Sequence, residues 1–423
     1  MLFTNPCSIL LICESANHYP LLRLLHLPKW YPHRYDDQDG DFVARHVAAI
    51  AAHGGRDGGP TQSAVVFAAV ARGPLPTLIA EDIDLSGPVP TWRYYYRARP
   101  TGLAPLDKLL KLLLWLLCQR RGLRAVRHYW AGARPEVIHA HVLVRPAALA
   151  WWLRLRHGTP YVLTEHQTAL LPTNAARLGR LRRWLVGRLV NSANASLPVS
   201  ADLGRALAAL GGTNATTVVV PNVVDTELFQ PAAAGSPRHG LLHVAAFNEK
   251  AKNLSGLLRT VARLRTVAPA LSGLHLRIAG YGPAEATLHQ LAQELGLLAD
   301  GTVEFLGKLP PAQVAAEMRR AACFVLFSNY ENLPCVLIEA QASGLPAVAT
   351  RVGGVPELLP DTTLGQLVPP GDEVALGEAI VAVLTASPGR FDTARLRARA
   401  VAEFSYPAVG RAFGAVYARI LGQ

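Results

Sequence analysis

The sequence predicts two doubly wound α/β domains in tandem, and three observations carry that prediction. The chain has 423 residues, more than one domain usually holds. Half of them are apolar, enough for substantial cores, and few segments are polar enough to resist folding. From Leu21 onward, short apolar runs alternate with longer segments of helical period, the pattern of repeated strand–helix units on parallel sheets.

In the first half the strand runs are 21–27, 64–70, 136–142 and 160–164, with helices predicted at about 42–53, 106–121, 146–157 and 175–190. "SLPVS" (196–200) and "TVVVPNVV" (217–224) follow. The Pro-, Gly- and Ala-rich stretch 224–240 reads as a linker, which makes 21–223 the N-terminal domain and 1–20 an extension outside it. In the second half, strands at 241–247, 274–279, 302–306, 323–327, 346–350 and 364–368 alternate with helices at about 253–267, 284–295, 311–321, 334–343, 354–359 and 373–385, giving a domain over 241–402. The last segment, 403–423, places Val409, Phe413, Val416, Tyr417 and Ile420 on one helical face, a helix expected to pack back on the N-terminal domain.

Net charge is +12 and lies wholly in the first half: residues 1–200 hold 24 Lys+Arg against 12 Asp+Glu, whereas residues 201–423 hold 18 of each. Ten basic residues crowd into 93–134 beside the single acid Asp107, and Arg177, Arg180, Arg182, Arg183 and Arg188 form a second cluster. Such patches suit an anionic membrane surface, nucleic acid or a plain solvated face. "LDKLLKLLLWLLCQRR" (106–121) is too short in apolar run to span a bilayer but suits a basic helix lying on one. The start lacks the basic leader of a secretory signal. The five cysteines show no metal-ligand spacing, and a reduced cytoplasm fits them.

In doubly wound sheets, ligands bind beyond the carboxyl ends of the strands, so the strand-to-helix junctions carry the chemistry. Strand 323–327 runs into "SNYENLP", and Pro334 suits the first turn of the helix that follows. The free N–H groups and dipole of a helix start attract phosphate. Glu331 stands in the loop before that start and Glu339 inside the helix; carboxylates accept hydrogen bonds in pairs, which suits vicinal hydroxyls. Two such acids flanking a phosphate site describe a nucleotide-sugar pocket. The next junction, "RVGGVPE", adds Gly353, Gly354 and Glu357 toward the same crevice. His139 and His141 alternate along one strand; no acid or cysteine stands nearby to complete a metal site, and no metal is expected. "AGYGP" (279–283) lacks the third glycine of a dinucleotide fingerprint.

"ENLPCVLIE" resembles the Glu-x7-Glu motif of retaining family-4 (group 1) glycosyltransferases of GT-B fold, and "RVGGVPE" the Gly-Gly-x-x-Glu element that follows it. "LPKWYP", "GDFVARHVAAIAAHG", "EVIHAHV", "VLTEH", "VVVPNVVDTELFQP", "IAGYGP" and "VEFLGKLP" are similar, in order, to other segments of that family, over roughly residues 21–421. The resemblance implies two Rossmann-like domains facing a cleft and hexosyl transfer from a nucleotide-diphosphate sugar to a saccharide or lipid-linked acceptor, with retention. It implies that Glu339 binds the ribose, Glu331 the hexose, and that backbone around Asn332, Leu333 and Pro334 cradles sugar and diphosphate. Lys252 would neutralise the leaving group in place of a metal, and Gly40 and His141 would complete the site; no cofactor is implied. On the acceptor side stand Trp30, Asp41 and His166. Two positions depart from the pattern. Phe247 stands where the family often has an arginine, and Asn332 where it has a glycine, a change that left-handed backbone at asparagine would accommodate. A cell-surface polysaccharide or lipopolysaccharide pathway and a cytoplasmic, membrane-peripheral location follow as expectations. The competing readings are a sugar-nucleotide epimerase, a phosphorylase needing a cofactor site the sequence does not show, and a nucleic-acid-binding module, which has no use for the junction carboxylates.

Overall fold

The computed structural model describes residues 21–99, 101–172, 178–268, 273–387 and 389–423. The extension 1–20 and the first residues of the helix expected at 175–190 lie outside these. Two parallel-rich sheets build the molecule, each with helices on both faces, and the GT-B architecture is what they form. The N-terminal sheet has the order β3-β4-β2-β1-β5-β6-β7 and the C-terminal sheet β10-β9-β8-β11-β12-β13.

The N-terminal strands are β1 (Arg23–Pro28), β2 (Gln62–Val70), β3 (Ile79–Asp84), β4 (Thr91–Tyr96), β5 (Val137–His141), β6 (Tyr161–Glu165) and β7 (Ala195–Pro198). β5 and β6 are buried at every residue, as central strands covered on both faces must be. β3 and β4 fall within 71–105, a stretch with no strand in the sequence reading. Their sequences, IAEDID and TWRYYY, lack a continuous aliphatic run. β3 pairs antiparallel with β4 at the sheet edge, and its acids keep that edge from recruiting another strand.

Helices α1 (Asp41–His53), α2 (Ala104–Tyr129), α3 (Arg145–His157), α4 (Arg180–Ser192) and α5 (Ala201–Ala209) cover this sheet. α2 runs well past the expected Arg121, and α5, started by Ser200 capping the Leu203 N–H at 3.1 Å, escaped the sequence reading. "TVVVPNVV" forms no strand beyond an isolated bridge from Thr217 to Ser196.

The C-terminal lobe carries β8 (Leu241–Val244), α6 (Glu249–Lys252), α7 (Leu254–Val267), β9 (Leu276–Ala279), α8 (Glu285–Glu294), β10 (Val303–Gly307), α9 (Pro311–Arg320), β11 (Cys323–Leu326), α10 (Cys335–Ala342), β12 (Ala347–Thr350), α11 (Val355–Leu358), β13 (Gly365–Val368) and α12 (Glu373–Leu384). Its strand order reverses between β8 and β11, the position where such a sheet opens a crevice at its carboxyl edge. α13 (Thr393–Phe404) then packs on α10, and α14 (Tyr406–Leu421) crosses to the N-terminal lobe and packs along α1.

Val409, Phe413 and Tyr417 on α14 are fully buried in a cluster with Ala49 and Ile50 of α1. Each side chain of that size stabilises by about 1.5–3 kcal/mol when buried. Gly410 makes the close approach possible: a Cβ there would stand 2.4 Å from the Ala49 carbonyl oxygen. Among the described residues, no helix is long and apolar enough to cross a membrane.

Candidate active site

The carboxyl edges of the two sheets face each other across a cavity of about 980 Å³. From the N-terminal lobe it is lined by Trp30, the start of α1 with Gly40, Asp41 and Arg45, and the loop from His166 to Thr168. From the C-terminal lobe come Lys252, Lys308, and Glu331 through Val336 with Glu339.

Glu331 follows β11 in a tightly held loop. Its Oε1 accepts from Lys252 Nζ at 2.5 Å and from Ser328 Oγ at 2.7 Å, while Thr350 Oγ1 donates to the Ser328 carbonyl at 2.6 Å. Lys252 ends the short α6, where Asn253 turns the chain through the left-handed region at φ 48°. The carboxylate is buried and the ammonium partly so, and they meet at the cleft wall. Such a pair is costly to desolvate, and removing one partner leaves the other uncompensated.

Glu339 sits inside α10, 4% exposed. It accepts from Arg45 Nη1 at 2.7 Å, and Arg45 Nη2 also reaches Asp41 at 2.6 Å. Burial opposes the Arg45 charge, but Glu339 and Asp41 beside it outweigh that and hold its pKa above the usual value. Arg45 is the functional side chain the sequence reading missed. Its partner lies 294 residues away in the other lobe; the one local signal was the i,i+4 acid at Asp41 on a helix entering the cleft.

Gly40 begins α1 at φ 69°, and a Cβ there would lie 2.3 Å from the Trp30 carbonyl carbon. Only glycine fits this start. Asn332 is not among the described non-glycine residues with positive φ, so left-handed geometry is not why asparagine stands here. Its side chain stitches the lobes together instead: Ser200 Oγ donates to Oδ1 at 2.8 Å, and Nδ2 donates to the His166 carbonyl at 3.2 Å. The Leu333 carbonyl accepts from Asn222 Nδ2 at 2.6 Å, and Pro334 caps the start of α10.

Glu357, Gly353 and Gly354 stand behind the wall rather than in it. Both Glu357 oxygens accept from the start of α5, from Ala201 and Asp202 N–H at 2.9 Å each. A Cβ on Gly353 would meet the Glu331 carbonyl oxygen at 1.9 Å, and the Gly354 N–H donates to the Asn332 carbonyl at 2.8 Å. These residues brace the loop that carries Glu331. Phe247 is buried against Phe305 and brings no charge. The cations on the wall are Lys252, Arg45 and Lys308, the last held by Asp37 at 2.6 Å.

His141 is fully buried and also sits behind the wall, in a cluster with His26, His46, His139 and His166. His139 and His141 stack at 4.0 Å, and His26 Nδ1 lies 3.2 Å from His141 Nε2. His139 is satisfied by Tyr417 and Thr164, each at 2.7 Å. Burial drives all five rings toward the neutral form, His26 to about 3 and His46 to about 4. His26, His139 and His141, and likewise His46, His141 and His166, bring ring nitrogens within 4.8 Å of one another, near enough to share an ion. Neither group includes a carboxylate or thiolate.

Beneath His166, the buried Glu165 accepts N–H groups from Leu143 (2.8 Å), His166 (2.8 Å) and Gln167 (2.7 Å). Burial raises its pKa despite those bonds. It holds the loop where Val142 and Val144 adopt φ 77° and 80°, values that cost a β-branched residue energy.

Two facing lobes, a helix start at the crevice of the second, and buried acids paired with cations around it define a GT-B glycosyltransferase using a nucleotide sugar. Comparison with known families agrees. Residues 43–223 match the glycosyl transferase 4-like domain and residues 238–386 the glycosyl transferases group 1 model. The chain belongs to the group 1, family-4 glycosyltransferases. It is 33% identical over 270 residues to the phosphatidyl-myo-inositol mannosyltransferase of Mycobacterium leprae, covering 61% of this chain and 67% of that protein. It is 30% identical over 303 residues to the glycogen synthase of Mycobacterium tuberculosis, covering 67% and 69%. Sucrose-phosphate synthase from Thermosynechococcus elongatus shares the fold, with a TM-score of 0.71 at 22% identity over 95% of this chain and 99% of that one.

Proposed function

We propose that the chain transfers a hexose from a nucleotide-diphosphate sugar to a saccharide or lipid-linked acceptor, with retention and without a metal, in assembly of a cell-surface polysaccharide or lipopolysaccharide. One observation carries this reading: Glu331 and Glu339, both buried, flank the start of α10, and each is held by a cation. The diphosphate rests at that helix start. Glu331 then faces the hexose hydroxyls and Glu339 the ribose, sharing its carboxylate with Arg45.

The acceptor hydroxyl attacks the anomeric carbon from the face the diphosphate leaves, through an oxocarbenium-like transition state, and the departing diphosphate takes the hydroxyl proton. Lys252 is drawn from Glu331 toward the developing charge on the leaving group. Stabilising that charge in a water-poor cleft is the main catalytic contribution. His166, Trp30 and Asp41 face the acceptor. His141 acts from behind His166, setting the shape of that wall.

The lipid-linked acceptor is supported by the name of the mycobacterial mannosyltransferase relative and by the basic N-terminal lobe, which would seat on the inner face of the cytoplasmic membrane. The test incubates the protein with a panel of nucleotide sugars, with and without chelator, and follows donor hydrolysis and the anomeric configuration of the product. Turnover that survives chelation and gives a retained anomer is expected. Inverted product, or activity restored only by a divalent ion, overturns the corresponding part. Sedimentation with anionic vesicles but not neutral ones is the expected sign of membrane seating; indifference to lipid charge refutes it.

A further inference from the structure

Arg45 stands on α1 of the N-terminal lobe, yet its charge is delivered to the other lobe. Nη1 donates to Glu339 Oε1 at 2.7 Å, and Nη2 lies 2.6 Å from the Asp41 carboxylate one turn back on α1. Glu339 follows Cys335, the first residue of α10, by one turn. Long side chains on a helix lean toward its N-terminus, so a carboxylate at that position lies over the opening turn. Burial pushes the Cys335 thiol up to about 12, and the Arg45 guanidinium is near enough to oppose that rise. Arg45, Cys335 and Glu339 all line the cleft cavity. The guanidinium is therefore beside the helix start at which, on the proposed function, the diphosphate rests.

That stretch of wall is short of free positive charge. Its cations are Lys252, Lys308 and Arg45. Lys308 is held by Asp37 and Lys252 by Glu331. Against them the same cavity sets Asp36, Asp37, Asp39, Asp41, Glu331 and Glu339. A diphosphate brings more negative charge to a wall already acidic, and repulsion grows as water is excluded. It needs a cation that can leave its acid.

Arg45 has the means to do so. A guanidinium carries five N–H donors in a planar fork that suits phosphate. Asp41, on the same helix, keeps hold of it whatever happens at Glu339. Ribose hydroxyls donate to a carboxylate as the guanidinium does, so Glu339 keeps its hydrogen bonds when a nucleotide takes the place of Arg45. Loss of the arginine with nothing in exchange would instead leave a buried charge uncompensated.

We propose that Arg45 is an exchangeable phosphate ligand lent by the N-terminal lobe: when a nucleotide-diphosphate sugar binds, its ribose takes Glu339 and the Arg45 fork turns to the diphosphate, pivoting on Asp41. The proposal rests on the reading of Glu339 as the ribose carboxylate, and turns a shared carboxylate into an exchanged one. It adds a residue to the donor site and couples the filling of that site to the position of α1.

The test is a double-mutant cycle in the full chain, read as nucleoside-diphosphate affinity by calorimetry. UDP, GDP, ADP and CDP are titrated into the wild-type chain first, and the tightest is carried forward. Arg45→Ala and Glu339→Ala should each weaken it about tenfold, the order of one charge-assisted hydrogen bond. Each single loss is softened, because removing one side chain frees the other for the ligand. Removing both frees nothing, so the double variant should lose about threefold or more beyond the product of the single losses. A double loss equal to that product means that the two side chains act apart, and a smaller one that Arg45 only positions Glu339; either overturns the exchange.

The nucleoside without phosphates tests the same step from the other side. Followed by ligand-observed NMR, its affinity should be unchanged or tighter in Arg45→Ala, since the ribose no longer competes for Glu339. Equal weakening of nucleoside and diphosphate means a damaged cleft and sinks the proposal, as does a diphosphate affinity that Arg45→Ala leaves alone. Arg45→Gln, which keeps a donor for Glu339 without the charge, takes the place of Arg45→Ala in both measurements if that variant unfolds at lower urea. A wild-type chain that binds none of the four diphosphates fails the parent reading and the exchange with it. Tight binding without the excess loss fails the exchange alone.

Discussion

The two lobes solve opposite problems with the same topology. The C-terminal lobe is charge-balanced, and each buried acid at its crevice meets a cation, Glu331 from Lys252 of the same lobe and Glu339 from Arg45 across the cleft. The N-terminal lobe carries the whole excess of positive charge, yet at and behind its cleft wall it gathers five histidines that burial drives toward the neutral form. It also leaves leucines of α2 open to solvent. The C-terminal side of the cleft is thus organised around ion pairs, which on the proposed function serve the diphosphate common to nucleotide sugars. The N-terminal side is organised around neutral rings and apolar surfaces, which on the same reading would meet the acceptor.

Acid should separate the lobes most strongly. The five histidines have folded pKa values lowered by burial below the ordinary value of 6.5. The unfolded chain therefore takes up protons that the folded one refuses as pH falls below about 6.5. Their contribution is fully present above that pH and is lost on acidification toward the folded values, with a limiting slope of about 1.4 kcal/mol per pH unit for each ring. Urea midpoints followed by an N-lobe tryptophan signal should fall by several kcal/mol equivalents between pH 7 and pH 5. A flat profile would mean that those rings are charged in the native state.

The next effect belongs to the other lobe. Lys252→Ala should lower turnover roughly 10²-fold or more, the scale of losing one electrostatic stabiliser, while nucleotide affinity changes far less. Equal losses in kcat and in calorimetric affinity would take Lys252 out of the transition state. Gly410→Ala tests the strut between the lobes: its Cβ has no room at Ala49, and overpacking of this kind costs about 1–3 kcal/mol, read as a lower urea midpoint with activity per folded molecule kept. The smallest change is local to the donor. Glu339→Ala should weaken nucleotide binding about tenfold, the order of a charge-assisted hydrogen bond of ~1.5 kcal/mol, with less change in turnover at saturation; unchanged affinity removes the ribose role.

The sequence was legible where chemistry is local. Buried parallel strands announce themselves as short aliphatic runs, and an acid just past such a run, before Pro334, points to a crevice. It was illegible where the partner is far away. Nothing near Arg45 tells that Glu339 waits across the cleft, and nothing near Glu357 tells that both its oxygens will be taken by the start of α5. β3 and β4 were missed because charged and aromatic edge strands lack the aliphatic signature. His141 was read as completing the site, whereas it is fully buried behind the wall; whether a histidine at a strand end faces ligand or core depends on packing from distant elements such as α14, whose Tyr417 reaches back to His139.

The loop bearing Glu331 has one more consequence. Asn332 binds Ser200 and the His166 carbonyl, and the braces behind it run through Gly354 and Glu357 to α5. The loop that carries Glu331 is thus also a rivet between the halves. The lobes cannot part without breaking these bonds, so the shape of the loop that carries Glu331 is tied to how closely the two halves sit.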